Sequence, residues 1–179
     1  MDRHVAFLRG MNLGGRRIKN DALRRHFEQM GFEDVATFRA SGNVIFAAHG
    51  DEREAELAQR VEAELAERLG YEVLVFLRGI DEVAAIAARR PFDPERVERS
   101  SGKLQVSLLQ AKPTAARRRK ALALATGEDL LALEGRELYW LPSGGLLDSA
   151  LDLKALESIL GQGTRRTMGT IEQIATRYG

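Results

Sequence analysis

Cysteine is absent from the 179-residue sequence, and so are long apolar runs. Without cysteine, disulfide bonds, zinc-thiolate sites and thiol nucleophiles are excluded. The opening MDRHVAFLRG has too short an apolar run for a signal peptide, and no segment approaches the length of a membrane span. We therefore expect a cytoplasmic protein with no membrane partner.

Several motifs of catalysis and cofactor binding are also missing. Gly10 and Gly15 have the glycine spacing of a P-loop, but Arg16 and Arg17 follow where that motif needs lysine and then serine or threonine. No G-x-G-x-x-G or G-x-S-x-G is present, and the three histidines form no His-Glu-x-x-His pattern. The sequence therefore indicates no metal site, no cofactor and no catalytic residue.

The net charge of +1 argues against a general nucleic-acid binder. The charge is uneven, because residues 1–30 carry seven basic and three acidic residues, whereas residues 51–72 carry three basic and eight acidic ones. Residues 103–120 carry six basic residues and no acidic one. One basic face and charges scattered over the surface are both consistent with this pattern. On a helix, the run Arg117 to Lys120 sweeps about 300° and is expected to be a solvated face.

Apolar periodicity predicts the order strand, helix, strand, strand, helix, strand in the first half. The strands are predicted at 5–8, 35–39, 43–46 and 72–77, and the helices at 20–30 and about 51–69. Asn20 is expected to cap the first helix, and the pairs Glu56–Arg60 and Glu64–Arg68 are expected to stabilise the second. This order is typical of a ferredoxin-like antiparallel sheet with both helices on one face.

The second half repeats much of this order. A short helix at 81–89 and a break at 91–94 precede a strand at 104–109, a helix at 113–125, a hairpin at 130–133 and 137–141, and a helix to about 160. Ser149 and Thr170 are expected to begin the last two helices through capping boxes. We therefore predict an α+β fold of two ferredoxin-like (βαββαβ-type) subdomains with antiparallel sheets plus a C-terminal helix. The domains are predicted at 1–78 and 79–179.

The predicted topology brings two polar stretches together. In a ferredoxin-like sheet the first and third strands are antiparallel neighbours, so the end of the first lies beside the start of the third. The two stretches supply a guanidinium, amides, a hydroxyl and glycines that suit a phosphate or carboxylate, with the start of the first helix nearby. The candidate ligand-binding residues at this edge are Arg9, Gly10, Asn12, Gly14, Gly15, Ser41, Gly42 and Asn43.

The same residues are also compatible with ordinary turns, in which the glycines serve only the backbone and Asn12 bonds its own main chain. A further candidate is Arg166, in the segment Thr164 to Thr170 ahead of the final predicted helix, where a helix start attracts anions. Either Thr167 or Thr170 is expected to cap that helix.

The chain resembles a bacterial family catalogued as domain of unknown function 1697. The resemblance rests on residues 6–15, AFLRGMNLGG, on residues 41–46, SGNVIF, and on Pro91-Phe92. It implies a two-subdomain α/β fold and brings no established activity. Family members commonly end in a Thr-Thr-Arg-Asn-Trp-Asn-Thr run; Arg166 and Thr170 fit it, whereas Arg165, Thr167, Met168 and Gly169 replace the second Thr, the first Asn, the Trp and the second Asn.

Four functions compete at this point. The first is binding of a small anionic ligand at the predicted strand edge. The second is hydrolysis of the acylphosphatase type, an analogy of fold alone because the loop spacing differs. The third is nucleic-acid binding through Phe7 and Phe46, although their apolar neighbours favour burial. The fourth is assembly through the paired subdomains, and the sequence does not indicate an oligomeric state.

Overall fold

The computed structural model describes residues 2–12, 14–40, 42–50, 52–101, 103–144, 146 and 149–179. Its first six elements are β1 (Asp2–Arg9), α1 (Asn20–Gln29), β2 (Glu33–Thr37), β3 (Asn43–Ala48), α2 (Glu54–Leu69) and β4 (Leu74–Gly79). Two short helices follow, α3 (Ile80–Ala88) and α4 (Pro94–Arg99). The remaining elements are β5 (Gln105–Leu109), α5 (Ala115–Leu122), β6 (Leu130–Glu134), β7 (Glu137–Leu141), α6 (Leu153–Leu160), β8 (Gly163–Thr167) and α7 (Met168–Tyr178).

Both sheets have the ferredoxin-like strand order. The first is ordered β2-β3-β1-β4 and the second β6-β7-β5-β8, and the recorded strand pairs in both are antiparallel. In each sheet the first strand of the βαββαβ unit lies between the third and the fourth. The predicted α+β fold with two such sheets and a C-terminal helix is confirmed.

Each sheet packs its two helices through apolar side chains. In the first sheet, Leu23 and Phe27 of α1 and Val61 of α2 belong to one buried cluster with strand residues such as Val44 and Leu77. In the second, Ala121 of α5 and Leu156 of α6 share a cluster with the following strand residues: Leu109, Leu133, Leu138 and Trp140. Burial of these apolar stripes is the main force that holds the helices against the strands.

Residue contacts divide the chain into two compact units, Met1–Val83 with Arg177–Gly179, and Ala84–Thr176. The division falls within α3, a few residues after the predicted boundary at 78. The predicted domains at 1–78 and 79–179 stay a prediction. Among the described residues, no helix is both long and apolar enough to cross a membrane, and the cytoplasmic location stays a prediction as well.

Three predicted caps and one predicted ion pair are wrong. Asn20 is the first residue of α1 instead of its cap, and its amide donates to the carbonyl of Arg39 at 3.1 Å. Asp152 rather than Ser149 caps α6, accepting from the amide of Ala155. Thr170 lies inside α7 and does not begin it. The Thr167 hydroxyl accepts from the backbone amide of Thr170 at 3.2 Å, which confirms the alternative in which Thr167 caps this helix.

The Glu64–Arg68 pair in α2 is confirmed at 2.7 Å. Arg60, however, pairs with Glu52 at 2.9 Å, and Glu56 pairs with Arg53. The two predicted partners are therefore each bound to a residue nearer the start of the helix, which lies at Glu54.

Two elements were not predicted. The supposed break at 91–94 leads directly into α4, because Asp93 caps it by accepting from the amides of Glu95 and Arg96 and Pro94 occupies its first turn. Residues Gly163–Thr167 form β8, a strand with polar residues on both faces. Neither segment has the apolar periodicity on which the prediction depends.

A buried carboxylate organises the second unit. Asp129 is 1% exposed and accepts hydrogen bonds from Trp140 Nε1 at 3.0 Å and from Ser149 Oγ at 2.8 Å. The Ser143 amide and the Thr126 hydroxyl donate to it at 3.2 and 3.1 Å. Burial acts to raise the pKa of Asp129, but these hydrogen bonds outweigh it and hold the pKa below 3.8. The carboxylate thus ties the hairpin to the chain that leads into α6.

We expect Asp129→Ala to lower the free energy of unfolding by about 3 kcal/mol, because it leaves buried donors such as the Trp140 indole unsatisfied. Urea denaturation at pH 7 measures the loss. Since the pKa is depressed in the folded state, the part of the wild-type advantage that depends on ionisation should be fully present above pH ~4 and should be lost as the pH falls through the folded-state pKa. Asp152→Ala, which removes only a helix cap, is the control and should cost about 1 kcal/mol. Equal losses in the two variants would contradict the role given to Asp129.

Candidate functional site

The end of β1 lies beside the start of β3, as the topology predicted. Phe7 is opposite Asn43 in the ladder, and the amide of Leu8 donates to the carbonyl of Gly42 at 2.8 Å. On the other side of β1, Arg9 is opposite Leu74 of β4. The end of β1 therefore lies between the turn before β3 and the start of β4, and Arg9 there is half-buried.

We call residues 10–17 the β1 loop, of which residue 13 lies outside the described residues. Met11 is buried in the helix-facing core, and its carbonyl accepts a hydrogen bond from the Tyr71 hydroxyl at 2.9 Å. The Arg16 guanidinium lies 4.5 Å from the centre of the Tyr71 ring. These contacts hold the loop to the protein at two points.

Between those two points the described residues of the β1 loop are exposed. Asn12, Gly14 and Gly15 all face solvent. Gly14 and Gly15 have φ angles of +62° and +81°, and a Cβ placed on either would meet nothing within 4 Å. A ligand can therefore approach the backbone here without a steric obstacle. Gly10 differs, since it is half-buried and a Cβ there would lie 3.4 Å from the carbonyl oxygen of Glu72.

The turn before β3 is packed, unlike the exposed part of the β1 loop. Asn43 is 1% exposed, and its side-chain amide donates to the carbonyl of Phe38 at 2.9 Å. Gly42 has φ +74°, and a Cβ there would lie 3.1 Å from Met11 Cε and 3.2 Å from the Leu8 carbonyl oxygen. Both residues therefore have structural roles that explain their identity. Ser41 lies outside the described residues.

The start of α1 completes this end of the first sheet. The Asn20 amide joins it to the turn through the carbonyl of Arg39. Lys19 occupies the N-cap position and makes no side-chain capping bond, while Asp21 places a carboxylate in the first turn. The amides at the start of α1 are therefore not capped by the side chain at that position.

Arg166 belongs to the second unit. It lies on β8 opposite Val106, and its Nη1 donates to Thr164 Oγ1 at 2.8 Å and to the Arg165 carbonyl at 2.9 Å. Burial lowers the pKa of Arg166 to about 10. Arg165, which also belongs to β8, lies over the Trp140 ring at 5.2 Å. A role for Arg166 in anion binding stays a prediction.

The structure also shows the exposure of the two predicted phenylalanines and of the basic run on α5. Phe7 and Phe46 are completely buried, as the apolar runs around them indicated. The residues Arg117 to Lys120 are all exposed on α5, which agrees with a solvated face. Tyr71 was not predicted as a contact of the loop, although it directly precedes the predicted strand at 72–77, and β4 in that region pairs with the end of β1.

Comparison with known proteins gives the family. The DUF1697 family, described as proteins of unknown function, matches residues 1–139. The chain belongs to this family. The matched range includes the β1 loop, the turn before β3 and Pro91-Phe92, and it ends before β8. No curated protein is significantly similar to the chain.

A solved structure supports the fold of this DUF1697 protein. A conserved bacterial protein from Streptococcus pneumoniae is similar with a TM-score of 0.70 and 15% sequence identity. The similarity covers 98% of this chain and 97% of that one. At this level of identity the comparison shows a common fold and carries no information on ligands.

Alanine substitutions at two glycines should separate the packed turn from the open loop. Gly42→Ala adds a Cβ against Leu8 and Met11 in a left-handed conformation, so we expect a loss of about 2–3 kcal/mol. Gly15→Ala meets only the conformational penalty, about 1 kcal/mol. Thermal and urea unfolding measure both variants. Equal destabilisation would show that the turn is not packed as described.

Proposed function

We propose that this DUF1697 protein binds a small anionic ligand at the β1 loop. The observation that carries the proposal is the strand register, which places the end of β1 beside the turn before β3 while the loop keeps an exposed, unobstructed backbone at Gly14 and Gly15. The ligand class is a phosphate- or carboxylate-bearing small molecule.

Charge at this end of the first unit supports an anion. Arg16, Arg17, Lys19 and Arg39 are exposed, and Arg9 is half-buried at the end of β1. The β1 loop and residues 38–43 contain no acidic residue, and Asp21 lies in the first turn of α1. Positive charge therefore predominates along the loop and the turn, which attracts anions and can supply forked hydrogen bonds from guanidinium groups.

The proposed contacts come from side chains and from the backbone. Arg9 and the exposed Asn12 amide would hold the anionic group, and the amides of Gly14 and Gly15 and the start of α1 would add backbone donors. Asn43 and Gly42 would act indirectly, because they fix the turn. The predicted contacts of Ser41 and Arg166 stay predictions, and the proposed site does not depend on them.

Binding is favoured over the alternatives by specific observations. Nucleic-acid binding through the sheet requires exposed aromatic rings, and Phe7 and Phe46 are buried. Hydrolysis of the acylphosphatase type stays an analogy of fold alone, because the loop spacing differs. The Asn43 amide, which donates to the carbonyl of Phe38, is already used within the turn.

Thermal unfolding with added anions tests the proposal. Inorganic phosphate, phosphorylated sugars and dicarboxylates are compared with sodium chloride at equal ionic strength. A ligand present at 100 times its Kd should raise the Tm by about 5–10 °C. Arg9→Ala and Asn12→Ala should each reduce this shift by at least half, since they remove proposed contacts.

Arg118→Ala is the matched control, because it removes one exposed arginine from α5 and should leave the shift unchanged. Circular dichroism establishes that every variant is folded. If Arg9→Ala and Asn12→Ala both respond to the anion as the wild type and the control do, the β1 loop is not the binding site. Release of phosphate from an acyl phosphate above the background rate would instead favour the hydrolase.

A further inference from the structure

A cavity lies within the second unit and plays no part in the proposed function. It has a volume of about 310 Å³ and is formed by the segment that joins α3 to α4, by α4, by the residue before β5 and by the start of α7. This size is near the lower limit for small-molecule pockets. Its apolar lining consists of Pro91, Phe92, Pro94, Val97, Leu104 and Met168.

Hydrogen bonds fix the walls of this cavity. Asp93 caps α4 through the amides of Glu95 and Arg96, which sets the direction of that helix. On the opposite side, the amide of Met168 donates to the carbonyl of Leu104 at 2.9 Å and holds the first residue of α7 against the chain entering β5. The cavity is therefore formed without a ligand, and binding would not have to create it.

Two segments distinguished in the sequence meet here. Pro91-Phe92 lies between α3 and α4, and Met168-Gly169 belongs to the C-terminal run, about 75 residues later. Neither segment contributes to the β1 loop. Their shared position at one cavity is an observation independent of the proposed function.

Charged groups of both signs line the same cavity. Arg89 is paired with Glu134 at 2.7 Å, so its charge is compensated. Arg90 donates through Nη1 to the carbonyls of Ala87 and Arg89, which orients its guanidinium and leaves further N–H donors. The other two charged lining residues are acidic: Glu98 from α4 and Glu172 from α7.

We propose that this cavity binds an apolar zwitterion of the size of a hydrophobic amino acid. The apolar side chain would occupy the space between Phe92, Val97 and Met168. The ammonium group matches the carboxylates of Glu98 and Glu172, and the carboxylate matches Arg90. Arg90, Glu98 and Glu172 are exposed and stay hydrated whatever occupies the cavity. A zwitterion is favoured because it adds an ionic contact to groups of each sign, whereas a purely anionic ligand would meet two like charges.

Isothermal titration calorimetry of the full chain with L-phenylalanine and L-leucine tests the proposal. We expect binding of at least one of them with a Kd below about 1 mM. Phenethylamine lacks the carboxylate, 3-phenylpropionate lacks the ammonium group and glycine lacks the apolar side chain. Each should bind at least about tenfold more weakly, because a charge-assisted hydrogen bond or the apolar contact is lost.

Variants locate the binding. Met168→Trp fills the cavity and should abolish the heat signal. Glu98→Gln with Glu172→Gln should weaken binding by about tenfold or more, whereas the control Glu95→Gln with Glu128→Gln, outside the lining, should not. Arg9→Ala should also leave amino-acid binding unchanged, which separates this inference from the β1 loop.

Three results would overturn the inference. One is the absence of binding by both amino acids at 10-fold the stated limit, about 10 mM. Another is binding of the three analogues as tight as that of the amino acids, which would show that the cavity does not recognise the two charges and the apolar side chain together. The third is unchanged binding in the Glu98→Gln/Glu172→Gln variant. Both substitutions are at exposed residues and should not disturb folding, so this result is informative even if Met168→Trp does not fold.

Discussion

The antiparallel pairing of β1 with β3 is the constraint on which the first unit depends. Phe7 is opposite Asn43, the first residue of β3. The β1 loop, which follows β1, and the turn, which precedes β3, therefore lie at the same end of the ladder. β4 pairs with the other side of β1, so the chain around Tyr71 reaches the same end. A shift of one residue would exchange the two faces of the strand and expose the helix-facing core.

This constraint also explains why residues that look alike in sequence have different roles. Gly42 and Asn43 are used by the turn itself, since one avoids a collision with Leu8 and the other satisfies the carbonyl of Phe38. Gly14 and Gly15 have positive φ angles without any neighbour that requires a missing side chain. Only the second kind of glycine is open to a ligand, and the distinction depends on packing.

Much of the fold could be predicted, because strands such as β3 and helices such as α2 have clear apolar periodicity. β8 was missed because Thr164 and Arg166 supply its buried positions, so hydropathy does not alternate. The Asn20 cap was wrong because its amide bonds to Arg39, nineteen residues away. The strand edge of the candidate site followed from topology alone. The burial of Asn43 was not predicted, because it depends on packing beside β1, where Asn43 is opposite Phe7.

The two halves provide an internal comparison for the β1 loop. In the second unit, β5 is connected to α5 by residues 110–114, five residues, whereas β1 is connected to α1 by residues 10–19, ten residues. Both connections join the first strand of a βαββαβ unit to the helix that follows it, and about 2–6 residues suffice for such a connection. The additional length in the first unit is therefore not required by the fold.

The second unit has a long connection of its own, between β7 and α6, but Asp129 binds both Ser143 and Ser149 along it. That length is accounted for by an internal hydrogen-bond network. The β1 loop is held at Met11 and Arg16, and the exposed residues between them have no comparable buried hub among the described contacts. A long, glycine-rich connection that is anchored at both ends and open in the middle is the arrangement expected of a binding loop on a rigid scaffold.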